Sequence, residues 1–168
     1  NYETDVLSKQ TITLPERYTE VRNISVVNAE IPMSYYNISS TLGNNSFEIT
    51  EDGTAEMIIV PDGEYTKTTL TDKINELITQ NTITIDTKTT ITHNDNSHSH
   101  TLIKIDFTKD ETGSYSRFGF KSSLGWLLGF REPVYIFEGA ALDTFKASGL
   151  TSFAIANLSG PRYLYLVV

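Results

Sequence analysis

Residues 56–80 read EMIIVPDGEYTKTTLTDKINELITQ, and the hydrophobic period changes once along this stretch. Met57-Ile58-Ile59-Val60 is a short apolar run of strand type, Pro61-Asp62-Gly63 is a turn, and Leu70, Ile74, Leu77 and Ile78 then recur at helical spacing. No other stretch repeats that helical spacing with the same strength. One short helix set among strands marks a mainly β fold. The helix is expected over about residues 68–80, with Thr69 as N-cap, Asp72 three residues on in a variant capping box, and Asn81 as its stop. At roughly three turns it is too short to be stable alone and must lay its apolar stripe on a sheet.

Strand signals flank this block on both sides. Residues 46–50 alternate around Phe47 and Ile49, and Glu51-Asp52-Gly53 is a hairpin signal joining them to residues 55–60. Upstream, residues 11–14 and 18–31 read as strands, the second with a bulge near Val26-Val27 and an end at Pro32. Downstream, residues 82–92, broken near Asp86-Thr87-Lys88, and residues 101–108 alternate and are expected to pair as a hairpin with a long polar tip over residues 93–100. Residues 117–120, 134–137, 151–158 and 162–168 are further strand candidates. Residues 122–130 are compact and apolar, a turn or single helical turn expected to plug the core with Trp126 inside it. The expected architecture is an antiparallel β-sandwich, jelly-roll-like, with two four-stranded sheets and one short α-helix (about 68–80) in a connection. The abrupt apolar C-terminal stretch and the absence of an initial Met lead to the expectation that residues 1–168 are a single domain, a fragment of a longer chain.

Composition narrows the classes of activity. The chain has 168 residues and no cysteine, which excludes a disulfide-stapled domain, thiol catalysis and thiolate metal sites. No apolar stretch approaches the ~20 residues that span a bilayer as a helix, so no membrane span is expected. The net charge is −8. Residues 1–100 carry 15 acidic and 6 basic side chains, and residues 101–168 carry 6 and 7. Nucleic acid is therefore not an expected partner, because its phosphates call for a basic footprint.

Chemistry-bearing motifs are sparse. His93, His98 and His100 share one loop with Asp95, and His98 and His100 at spacing two could point the same way as metal ligands. The reading preferred is a solvated hairpin tip, with no metal and no cofactor. Glu48, Glu51, Asp52, Glu56, Asp62 and Glu64 could pair across a cleft as in a glycosidase, but most sit at turns, where acidic residues are ordinary. There is no P-loop, Rossmann fingerprint or nucleophile elbow. Tyr35 and Tyr36 follow a proline at a strand end and face a loop, which makes them candidate partner contacts.

Four stretches carry a resemblance: VVNAEIPMSYYNIS (residues 26–39), VPDGEYTKTTLTDKIN (60–75), SLGWLLGFR (123–131) and GPRYLYLVV (160–168). In this order and spacing, from about Gln10 onward, the chain resembles structural proteins of nucleocytoplasmic large DNA viruses and virophages. These include minor capsid and penton-like components, many with jelly-roll domains. The resemblance implies a virion component assembled in the host cytoplasm, not an enzyme, with other capsid proteins as partners and a symmetric homo-oligomer as its state. It also implies that Trp126 and Phe130 plug the core and that the Pro-Asp-Gly turn and its helix brace the sandwich. A receptor- or glycan-binding module working through Tyr35 and Tyr36 is the first alternative, and a glycosidase-type enzyme the second.

Overall fold

The computed structural model describes residues 16–23, 25, 36–79, 83–94 and 100–159. The chain divides into two compact units, Asn1–Met33 and Ser34–Val168. In the first, residues 16–23 are exposed and belong to no helix or strand, so the strand expected over 18–31 is not formed in its described part. The remainder of that strand with its bulge, and the strands expected over 11–14 and 162–168, lie outside the described residues.

The described elements of the second unit form a small, mainly β sandwich of two antiparallel sheets. Strands β1 (Ser46–Glu51), β2 (Thr54–Ile59), β5 (Leu102–Asp106) and β6 (Val134–Glu138) form one sheet in the order β2-β1-β5-β6. Strands β3 (Ile83–Ile85), β4 (Thr90–His93) and β7 (Leu150–Thr151) form the other in the order β3-β4-β7. The β1–β2 hairpin is the one the sequence announces. Glu51 faces Thr54, which leaves Asp52 and Gly53 as a two-residue loop, both at positive φ (46° and 89°). Positive φ at both positions is what a type I′ turn requires, and Asp-Gly supplies it.

The expected long hairpin between residues 82–92 and 101–108 is not formed. β3 pairs instead with β4, and β5 pairs with β1 and β6. The reason lies at Asp86. Its carboxylate accepts from the amides of Lys88 and Thr90, its own amide donates to Thr90 O, and Thr89 adopts φ +59°. What looked like a break in one strand is a complete tight turn between two.

Helix α1 (Lys67–Leu77) follows the expected period, with Leu70, Ile74 and Ile78 buried. Its cap differs from the expectation: Thr66, not Thr69, is the N-cap. Thr69 N donates to Thr66 Oγ1 (3.2 Å) and Thr66 N donates to Thr69 Oγ1 (2.9 Å). The Thr69 hydroxyl thus fills the role that Glu or Gln usually takes in a capping box, and Asp72 is not needed for it. From α1, the Asn75 carboxamide donates to Ile85 O (2.9 Å) and accepts from Ile85 N (2.8 Å), tying the helix to β3.

Two further helices join the expected one. Helix α2 (Leu124–Leu128), capped by Ser123 and preceded by a 3-10 turn over Phe120–Ser122, occupies the compact segment around Trp126. The strand expected at 117–120 is a turn that leads into it. Leu124, Leu128 and Phe130 are the core plugs; Trp126 is only half-buried. Arg131 lies over the indole at 4.1 Å, and its guanidinium donates to Trp126 O and Phe130 O. A cation held on its face keeps the indole at the surface. Helix α3 (Gly139–Ser148) has no counterpart in the expectation. It buries only Leu142 and Phe145, too thin a stripe to announce itself.

One hydrophobic cluster joins both sheets and the helices. Phe47 and Ile49 of β1, Ile103 and Ile105 of β5, and Ile83, Ile85 and Ile91 of the smaller sheet are all buried. Phe107 lies at the centre of an aromatic group, stacked on Phe130 at 5.1 Å and tilted against Phe47 at 5.5 Å. Gly125 permits this packing: a Cβ there would fall 2.2 Å from Phe107 Cγ.

Candidate functional site

After β7 the chain leaves the sheet and bends at Phe153-Ala154. The strand expected over 151–158 shrinks to the pairing of Leu150 and Thr151 with β4. The rest is clamped by three backbone bonds: Ser152 N to Thr89 O (3.0 Å), Ala154 N to Gly129 O (3.0 Å) and Asn157 N to Leu127 O (2.8 Å). Gly129 sits at φ +99°, and a Cβ on it would lie 1.9 Å from Ala154 O. Side chains alternate along this segment, with Ser152, Ala154 and Ala156 half-buried. Phe153 and Ile155 point outward and are 90% and 87% exposed. Lys67 and Lys88 line the same shallow depression. Two large apolar side chains are thus exposed two residues apart on a clamped backbone.

Of the two tyrosines singled out from sequence, Tyr35 lies outside the described residues and Tyr36 is 55% exposed. Its neighbour Asn37 is a buried brace. The Asn37 carboxamide donates to Tyr65 O (2.7 Å) and Leu158 O (3.1 Å) and accepts from Tyr65 N (2.9 Å). Tyr36 is therefore an exposed ring beside an anchored residue.

The histidines separate into parts. His98 and Asp95 lie outside the described residues. The rings of His93 and His100 meet edge-on at 6.0 Å, and His93 also meets Phe145 at 6.4 Å. His100 stands between two carboxylates, with Nδ1 3.2 Å from Asp52 Oδ2 and Nε2 3.7 Å from Glu51 Oε2. Asp52 also accepts from Thr101 Oγ1, Thr101 N and Leu102 N. These bonds, the Thr101 hydroxyl foremost, hold its carboxyl far below the usual carboxylate range. Among the described residues no group of three or more His, Asp or Glu side chains is placed to hold a metal ion. The cluster joins the β1–β2 turn to the start of β5.

Of the remaining carboxylates considered for acid–base work, Asp62 and Glu56 tie loops, Glu48 faces a lysine across the sheet, and Glu64 is exposed. Asp62 accepts from Ser39 Oγ, Ser40 N and Ser40 Oγ. Glu56 accepts from Thr79 N and its hydroxyl. Glu48 lies 3.9 Å from Lys104.

A cleft of about 250 Å³ opens between the Ser40–Ser46 loop and residues 110–118. Tyr115, Arg117, Phe118 and Glu111 line it. None of these was singled out from sequence, nor were Phe153 and Ile155. Alternation over 151–158 shows that one face differs from the other, but not which face turns outward.

No curated protein and no solved structure matches this chain. A family model does match, over residues 6–166, and so the chain belongs to the family of unknown function DUF5901.

Proposed function

We propose that this chain is a structural component of a large DNA virus particle, a penton or minor capsid protein that acts through protein–protein contacts and not as an enzyme. The four stretches quoted above support the viral reading. The observation that supports a contact role is the Phe153–Ile155 pair, held outward by the clamp on Gly129 and Leu127. An isolated exposed leucine or tyrosine is common on any surface; a rigidly presented Phe and Ile at spacing two is not. The partners are other capsid proteins or further copies of the same chain, assembled in the host cytoplasm, with Tyr36 as a secondary contact. Two measurements test this: mass spectrometry of purified virions, and sedimentation of the purified chain across a wide concentration range. The expected result is the protein in the particle and a concentration-dependent oligomer. A chain that stays monomeric at high concentration and is missing from virions would overturn the proposal.

A further inference from the structure

The cleft beside Tyr115 brings aromatic, basic and acidic side chains together. Its floor is Phe118, whose ring lies against Gly43. That glycine adopts φ +68°, and a Cβ there would meet Phe118 Cδ2 at 2.2 Å. The bare glycine thus lets the aromatic ring lie on the loop. The Arg117 guanidinium stacks on the same ring, 4.7 Å from its centroid. On one wall stands Tyr115, whose backbone bridges to Lys109. The Lys109 ammonium covers one face of the Tyr115 ring at 4.4 Å, yet the residue remains 77% exposed, so its opposite face is open to solvent. On the other wall is Glu111. The buried Asn45 carboxamide donates to Glu111 Oε1 and to Val60 O (3.4 Å), which fixes the carboxylate and leaves its second oxygen able to accept.

We propose that this cleft binds a carbohydrate, with one sugar ring stacked on the open face of Tyr115 and its hydroxyls bonded to Glu111 and Arg117. A sugar ring has an apolar C–H face and a rim of hydroxyls that both donate and accept. An aromatic platform in a cleft that also holds an acceptor and a donor matches both features. Other ligand classes fit less well. A purely apolar ligand would desolvate Glu111 and Arg117 without replacing their hydrogen bonds. A strongly anionic ligand would meet Glu111 and Asp110 at the rim. At about 250 Å³ the cleft falls just under the range of drug-sized pockets, which suits one or two sugar rings and not a partner's folded loop.

Saturation-transfer NMR on the intact 168-residue chain tests this, with a millimolar panel of neutral, amino and acidic mono- and disaccharides. Transfer to at least one class is expected. Tyr115→Ala should weaken it at least tenfold and Tyr115→Phe should preserve it, because the platform remains. Glu111→Gln should weaken it several-fold, and Tyr36→Ala should leave it unchanged. Loss in Arg117→Ala confined to acidic sugars would assign the guanidinium to a sugar carboxylate; equal loss across classes would assign it to hydroxyls. Were Tyr115→Ala unfolded by circular dichroism, Arg117→Ala or Glu111→Gln at these exposed positions gives the same reading. Absence of transfer to every sugar in the panel, or transfer unaltered by the cleft variants, would overturn the proposal. Neither result bears on whether the protein is found in virions.

Discussion

Gly129 and Ala154 approach so closely that no side chain fits between them: a Cβ on Gly129 would stand 1.9 Å from the Ala154 carbonyl oxygen. The Ala154 amide also donates to Gly129 O at 3.0 Å. The contact fixes the segment that presents Phe153 and Ile155. Gly129→Ala must both adopt a left-handed backbone and push that segment away. We expect it to lose about 3 kcal/mol or more in urea unfolding. Gly53→Ala, at φ +89° with nothing within 4 Å, meets only the backbone strain and should lose about 1–2 kcal/mol. Equal losses at the two positions would mean that the Ala154 contact contributes nothing.

Phe153→Ser and Ile155→Ser separate contact from stability. Both side chains are almost fully exposed, so each variant should unfold within about 0.5 kcal/mol of the parent. Sedimentation should nevertheless show weaker self-association, or capture of capsid partners should fall. A large stability loss would mean that these residues are covered within the fold.

Thr66→Ala removes the hydroxyl that accepts from Thr69 N, and should lose about 1 kcal/mol by chemical denaturation. Asp72→Ala should be close to neutral, since Asp72 is not the capping partner. The opposite ranking would return the cap to Thr69.

Acid should destabilise the fold through a few aspartates. Asp52 is held down by the Thr101 hydroxyl, the Thr101 and Leu102 amides, and His100. Burial pushes Asp106 up, but the Thr108 hydroxyl, the Lys104 ammonium (2.9 Å away) and the Thr108 amide outweigh it, so its carboxyl is also lowered. Asp110 is lowered by the Thr112 hydroxyl and by the amides of Thr112 and Ser114. A carboxyl lowered in the folded state stabilises the fold above its unfolded pKa, and that contribution is lost as pH falls through the folded value. Stability from these groups should therefore be flat above about pH 5 and decline below about pH 4. Asp52→Asn should flatten the decline. A profile that falls only above neutrality would refute this.

The parts of the fold legible in the sequence were those where one signal acts alone. Asp52-Gly53 announces its hairpin because few dipeptides tolerate two positive φ angles in succession. The Leu70, Ile74 and Ile78 stripe announces α1 because nothing else competes at that period. Helix α3 stayed hidden because Leu142 and Phe145 carry its burial alone. The Asp86 turn was mistaken for an interruption because its carboxylate bonds, not a glycine, close it. Trp126 was assigned to the core because Leu127, Leu128 and Phe130 flank it, and Arg131 lies on its exposed face. The cleft was invisible for a different reason. Tyr115, Phe118 and Glu111 meet Gly43 and Asn45 only after the chain has crossed β1, β2 and β5.

Asn75 has a consequence beyond tying a helix to a strand. β3 is an outer strand of its sheet, and the open side of such a strand invites a neighbour's backbone. At Ile85 both the N–H and the C=O are already engaged by one carboxamide, as a flanking strand would engage them. A visiting chain finds the N–H and C=O of Ile85 already engaged, so the smaller sheet is blocked at that residue. A second backbone cannot pair with Ile85 as a flanking strand would. One carboxamide thus does at Ile85 what a charge, a proline or a bulge does on other exposed edges.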